Sequence, residues 1–256
     1  MKISIITAAF NSAETIADTM ESVLAQTYGD IEYIVVDGAS KDQTMDIVKS
    51  FEPRFEGRMK WISETDRGIY DAMNKGIKAA SGDIVGTLNS DDMLASNDVI
   101  EKVSETIITL GTDCVYGRLN LVDSKNTSKI LRESNSGKYK TGAFLKGWHP
   151  AHPTFYTYKK FFEKFGYYRT DLKIAADFEL MMRFIEKNKL TSAFIDKLMV
   201  NQRAGGVSTK LSGYIKSNLE IINAFKLNGI RPPLLCVPRK VLPKLANTLK
   251  NRFLRK

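Results

Sequence analysis

Short apolar runs and stretches of helical periodicity alternate through about the first ninety residues, an order that restricts the fold more than any other feature. Residues 3–7, ISIIT, read as a short buried strand. Residues 14–25 follow, with Ile16, Met20, Val23 and Leu24 on one helical face. A second strand spans 31–36 and runs into Asp37 and a turn at Gly38. Residues 42–51 have loose helical periodicity, MKWIS at 59–63 reads as a third strand, and 68–82 form a helix closed by Gly82. DIVGTLN is the fourth strand. The pattern β-α-β-α-β-α-β predicts a parallel sheet with helices on both faces. Ligands of such sheets bind beyond the carboxyl ends of the strands. The polar clusters 7–11, 37–40 and 89–92 fall there.

The fourth strand ends in Asn-Ser-Asp-Asp, and two adjacent carboxylates repel each other and resist desolvation. As hard oxygen donors they suit Mg2+ or Mn2+, which then share coordination with substrate phosphates. A solvated Asp-Asp helix entry is the plainer alternative, because Asp is favoured at N-caps. No Walker A sequence occurs and no GxGxxG follows the first strand, which weakens kinase, ATPase and dinucleotide readings.

The second half is less regular. A helix is expected over 97–110, a strand at 114–123, a mobile loop or hairpin over 124–141, helices in KKFFEKFG and DFELMMRFIEKN, and a strand in SAFIDKLMVNQR. A chain of 256 residues, 43% hydrophobic, suffices for one substantial domain. Two cysteines in apolar surroundings suggest neither a metal site nor a disulfide framework, which fits a reducing compartment. The N-terminus does not read as a signal peptide, and no apolar run reaches the ~18 residues of a membrane span. The net charge of +9 is local: from residue 221 onward there are nine Lys/Arg and no Asp/Glu. Removing those nine from 38 basic residues leaves 29, equal to the 29 acidic ones, so the body is neutral. A neutral body argues against nucleic acid as a partner.

Four segments in order, ISIITAAFN, IEYIVVDGASKDQT, DRGIYDAMNKGIKAASGDIVGTLNSDD and AADFELMMR, together resemble the family 2 glycosyltransferases of the GT-A fold. The resemblance covers residues 3 to about 209. It implies an α/β GT-A fold, a mostly parallel central sheet with helices on both faces, and sugar transfer from a nucleotide-diphosphate donor with inversion at the anomeric carbon. It further implies that Thr7 and Ala9 line a base pocket, Asn11 shapes the loop below it, and Asp37 accepts a hydrogen bond from the base, typically a uracil N–H. Asp91 and Asp92 match the family's aspartate motif, one toward the ribose or sugar and one toward a Mn2+ or Mg2+ ion, with Asp92 and Asp91 as the metal ligands. Arg67 matches a basic position near the diphosphate, against the alternative of a solvated helix-entry charge.

Asp177 matches the family's proposed catalytic base, which an acceptor hydroxyl needs as it attacks. Its rival is Glu179. Residues i and i+2 of a helix do not share a face, so one of the pair points inward. The resemblance also marks His152 as a substrate contact and His149 as loop structure. Trp148 either stacks on a sugar or anchors a loop. RAGGVS at 203–208 resembles a flexible loop that closes over the donor, with Arg203 within reach of phosphate.

The expected organisation is a GT-A domain over 1–225 and a basic tail over 226–256. Within the tail Val241, Leu245, Leu249 and Phe253 recur at every fourth position among cations. That pattern suits an amphipathic helix on an anionic membrane surface, or equally a helix packed on the domain. The expected enzyme is cytoplasmic or peripheral on the inner face of the membrane. It would use a saccharide or lipid-linked saccharide acceptor in surface polysaccharide assembly. The alternatives are a sugar nucleotidyltransferase and a catalytically silent nucleotide-sugar-binding subunit.

Overall fold

The computed structural model describes residues 1–205 and 211–233. The first half follows the alternation: β1 (Ile3–Ala9), α1 (Ile16–Leu24), β2 (Ile31–Asp37), α2 (Thr44–Phe51), β3 (Met59–Ser63), α3 (Ile69–Ala79) and β4 (Ile84–Thr87). Then come β5 (Met93–Leu94), α4 (Val99–Leu110), β6 (Cys114–Val122), β7 (Ile130–Ser134), β8 (Tyr156–Tyr158), α5 (Lys159–Phe165), α6 (Ala176–Met181), β9 (Ser192–Arg203) and α7 (Leu211–Leu227). The strands form one sheet in the order β3-β2-β1-β4-β8-β6-β9-β5, with β7 paired to β6 off that path.

Strand alternation builds two cores, because successive side chains point to opposite faces. Ile3, Ile5 and Ala9 of β1 join Ile31, Tyr33 and Val35 of β2 under α1, α2 and α4. Ile6, Ala8, Ile34 and Val36 meet Tyr70, Met73 and Ile77 of α3 on the other face. Gly76 permits that approach: a Cβ there would lie 2.4 Å from a methyl of Ile6. Helices thus cover both faces, as the alternation requires.

β1 to β4 pair in parallel. The second half makes the sheet mixed. β8 enters antiparallel between β4 and β6, β7 and β5 add antiparallel pairs, and β9 runs parallel to β6. The polar stretch after β6 is a hairpin that carries β7. α6 continues as a π-helical turn over Met182–Lys187.

α7 packs on α6, with the Phe178 and Phe225 rings 5.7 Å apart and both buried. Truncating either ring to alanine is expected to cost about 3–5 kcal/mol. Asn228 is buried too, and Ile230 packs against the same core. The expected boundary after residue 225 therefore cuts through α7, and the packed domain extends to at least Ile230. The amphipathic pattern of 241–253 and the second half of the RAGGVS segment, 206–208, lie outside the described residues. Among the described residues no helix is long and apolar enough to cross a membrane.

Candidate active site

The ends of β1, β2 and β4 open onto a cleft of about 1100 Å³. Asn11 lines it in a left-handed backbone conformation, φ 48°. Its N–H donates to Ser40 Oγ at 2.8 Å, and its Oδ1 accepts from the Lys41 N–H at 2.9 Å, so the loops after β1 and β2 are tied together. Ala9 lines the cleft. Thr7 does not. It is fully buried deeper in β1, on the same strand face as Ala9, where the Tyr33 hydroxyl donates to it at 3.0 Å. Asp37 sits beside the cleft but is also fully buried, its carboxylate accepting from the Ser40 hydroxyl and N–H and from the Ser63 hydroxyl at 2.7 Å. From the segment after β3, the Asp66 carboxylate does reach the cleft wall, and it accepts the Gly68 N–H at 2.7 Å. Sequence reasoning passed over Asp66 in favour of its neighbour Arg67.

The loop after β4 is held from α1. The Thr15 and Thr19 hydroxyls donate to the carbonyls of Ser90 and Asp92 at 2.9 and 2.7 Å. This loop divides the aspartate pair. Asp91 faces the cleft. Asp92 is fully buried and does not, which corrects its expected role as a metal ligand. Its oxygens accept from the Asn89 amide at 2.8 Å, the Arg203 N–H at 3.2 Å and the Gln202 amide at 3.4 Å. Burial, and then the neighbouring Asp91 charge, push its carboxyl up to about 7. Burial also raises Asp91.

Among the described residues no group of three His, Cys, Asp or Glu is placed to hold a metal. The donor set does fit a cation shared with a ligand's phosphate oxygens, since Asp91 offers a partly desolvated carboxylate to the cleft.

The cations also differ from expectation. Arg67 is 76% exposed, pairs with Asp71 at 3.1 Å and does not line the cleft. Lys173 and Arg132 line it instead. Arg203 lines it as well, but Asp18 and the Asp91 carbonyl already hold its guanidinium. Arg132 was hidden in the polar stretch read as a loop or hairpin, and Lys173 in the irregular run before AADFEL. Neither stretch carries a periodic signal.

A second compartment of about 360 Å³ adjoins the first. Ile69, Asn89, Arg132 and Gln202 line both. Asp177 lines the second compartment from the first turn of α6, with its Oδ1 accepting the Phe178 N–H at 2.7 Å. Glu179 faces the other way. It is buried, paired with Arg183 at 2.9 Å, and accepts the Asn228 amide. Of the i, i+2 pair, Asp177 is the carboxylate that faces the compartment.

His152 and His149 both line this compartment. The His152 ring is nearly buried, with Nε2 at 2.7 Å from the Tyr168 hydroxyl and 3.3 Å from that of Thr87. Burial lowers its pKa, which favours the neutral ring. Trp148 anchors its loop: Nε1 donates to the Ser136 carbonyl at 2.5 Å, and the ring packs on Tyr116, Tyr139 and Phe144.

A cleft with Asp91, Arg132 and Lys173 on its wall can hold a polyanion. An adjoining compartment with a carboxylate can accept a proton from a second substrate. Comparison with known proteins bears on this arrangement. Residues 4–174 match the family model of Glycosyl transferase family 2. The chain is 28% identical over 213 residues to the PGL/p-HBAD biosynthesis glycosyltransferase of Mycobacterium bovis (strain BCG / Pasteur 1173P2), covering 81% of this chain and 79% of the relative. It is 34% identical over 186 residues to an uncharacterized glycosyltransferase of Mycobacterium tuberculosis (strain CDC 1551 / Oshkosh), covering 71% and 68%.

Among solved structures, S. aureus TarS 1–349 in complex with UDP-GlcNAc superposes with a TM-score of 0.66 at 20% identity, over 88% of this chain and 66% of that one. The mannosyltransferase PcManGT from Pyrobaculum calidifontis, in complex with GDP-Man and Mn2+, gives 0.67 at 18%, over 88% and 63%. The chain spans 43% of the longer TarS chain. The match over most of its length means that this chain belongs to glycosyl transferase family 2 and is a glycosyltransferase.

Proposed function

We propose that the enzyme is an inverting, metal-dependent transferase that moves a hexose from a nucleotide-diphosphate sugar, read here as a UDP-sugar, to a saccharide or lipid-linked saccharide. The observation behind this reading is the pair of adjoining compartments, with Asp91 on one and Asp177 on the other. The donor occupies the larger cleft. Asp177 takes the proton of an acceptor hydroxyl as its oxygen forms the new bond to the anomeric carbon. The bond from that carbon to the diphosphate breaks on the opposite face, which inverts the configuration. Arg132 and Lys173 stabilise the charge that develops on the departing diphosphate. Asp91 is the residue to hold Mn2+ or Mg2+, with Asp92 packed behind it. When bound, the cation supplies further neutralisation of the diphosphate.

UDP and GDP sugars bound to fold neighbours, one with Mn2+, support this donor class. The nine cations from residue 221 onward support an anionic membrane surface as partner, a peripheral location and a lipid-linked acceptor in surface polysaccharide assembly.

The test is nucleotide release from a panel of UDP- and GDP-hexoses, with Mn2+, Mg2+ or excess chelator, and the anomeric configuration of the product read by NMR. Release from a UDP-hexose that depends on the metal and gives an inverted product is expected. Retention of configuration overturns the single displacement, full activity in chelator removes the metal, and pyrophosphate formation from a sugar phosphate and a nucleoside triphosphate would mean a nucleotidyltransferase.

A further inference from the structure

The helix that carries Asp177 has no capping side chain at its N-cap, and within its first turn Asp177 Oδ1 accepts only the Phe178 N–H. Its N-cap position is Ala175, which makes no side-chain cap bond. Alanine ranks among the poorest N-caps because it has no acceptor for the free N–H groups of the first turn. An acceptor for the N-cap amide and the two before it comes from α7. Glu220 Oε2 accepts the N–H groups of Ile174 and Ala175 at 2.8 and 3.0 Å, and Oε1 accepts that of Lys173 at 3.1 Å. One carboxylate thus fixes three consecutive amides directly before α6. Charge-assisted bonds of this kind are about twice as strong as neutral ones.

The same turn is held from α3, where the Tyr70 hydroxyl donates to the Ile174 carbonyl at 2.8 Å and lies 3.5 Å from Asp177 Oδ1. Further along α7, Phe225 packs on Phe178, and Asn228, just beyond the helix, bonds Glu179. Residues 173–175, 178 and 179 around Asp177 are therefore tied to α3, α7 or the residue just beyond α7, and Glu220 is the only charged group of α7 bonded to the turn among the described residues.

We propose that Glu220 is a positioning residue for the transfer reaction: it caps the Asp177 turn in trans and aims that carboxylate into the second compartment. The inference rests on Asp177 being the base. It extends that reading by assigning part of the catalytic geometry to a helix whose described residues line neither compartment.

The test uses full-length Glu220→Ala and Glu220→Gln beside Asp177→Asn. Three readouts are followed: turnover of the UDP-hexose that gives the fastest UDP release, affinity for UDP, and hydrogen exchange of the amides at 173–175. Glutamine keeps one oxygen for the Ile174 and Ala175 amides but turns an N–H group toward that of Lys173. Glu220→Ala should lower kcat roughly 10- to 100-fold, the scale of a misplaced catalytic group. Glu220→Gln should fall between Ala and wild type. Exchange at 173–175 should quicken in the same order, while UDP affinity moves less than kcat. An inactive Asp177→Asn beside Glu220 variants with wild-type kcat overturns the positioning role. Wild-type turnover in Asp177→Asn overturns the base assignment itself. Should Glu220→Ala fail to fold, the Gln variant decides: intermediate kcat supports the proposal and wild-type kcat overturns it.

Discussion

The Asp91 side of the cleft is built from strand ends, whereas the Asp177 side is assembled from segments scattered between Tyr70 and Asn228. Asn11, Asp66 and Asp91 reach the cleft because β1, β3 and β4 run in parallel and end at the same edge. Asp177 reaches its compartment because Glu220 caps its turn, Tyr70 braces it, and Asn74 holds the Tyr168 backbone through a reciprocal pair of bonds at 2.8 and 2.9 Å. A sheet edge is shared by many backbone hydrogen bonds, so no single side chain decides it. A capped turn depends on a few contacts from distant parts of the chain. The second side should therefore respond more strongly to substitutions far from the chemistry.

That contrast can be broken at several points, taken from the largest expected effect downward. Asp177→Asn should reduce kcat by roughly 10²–10⁴, the usual loss on removing a general base, while UDP affinity stays unchanged. Equal loss of UDP binding would mean that the two sides are one site. Arg132→Ala and Lys173→Ala should each weaken UDP binding by about 1.5–3 kcal/mol, the range for hydrogen bonds to charged groups. Uridine affinity should not move, and calorimetry with both ligands separates the cases. An effect on uridine as large as that on UDP would remove these cations from the diphosphate.

A smaller effect concerns Asp92. Its carboxyl is raised to about 7, above the ordinary carboxylate value, so the native state binds its proton more tightly than the unfolded state does. That contribution to stability is fully present below about pH 4 and is lost as pH rises toward about 7. Asp92→Asn, which keeps the buried shape without the charge, should flatten the fall in Tm across that window when measured in chelator without nucleotide. An unchanged slope would show that Asp92 is charged throughout. The smallest effect belongs to Arg67→Ala. As an exposed residue it should change stability by no more than about 0.5 kcal/mol and leave UDP affinity intact. A clear loss of affinity would return Arg67 to the cleft.

The alternation of β1 to β4, the two-faced cores and the location of the site at strand ends were legible because they follow from local periodicity. So was the competition between Asp177 and Glu179, since helical spacing alone says that both cannot face one compartment. Which member of each pair faces the cleft was less accessible. Asp91 and Asp92 are chemically identical neighbours, and only the loop held by Thr15 and Thr19 turns one outward and buries the other under Asn89 and Gln202. Thr7 illustrates depth along a strand: Ala9 on the same face ends at the cleft, whereas Thr7, two residues earlier, is buried against Tyr33.

Arg67 and Lys173 show the limit from the other direction. Both are basic and both stand near carboxylates in sequence, yet Asp71 draws Arg67 into solvent while Lys173 is carried to the cleft by the turn that Glu220 holds. By itself the sequence determined the fold class and the edge of the sheet that bears the site, because backbone periodicity and strand polarity are local properties. Tertiary structure alone decided which carboxylates and cations face the cleft, because side-chain direction there depends on hydrogen bonds between residues as far apart as Asp92 and Arg203, or Ile174 and Glu220, that no local pattern encodes.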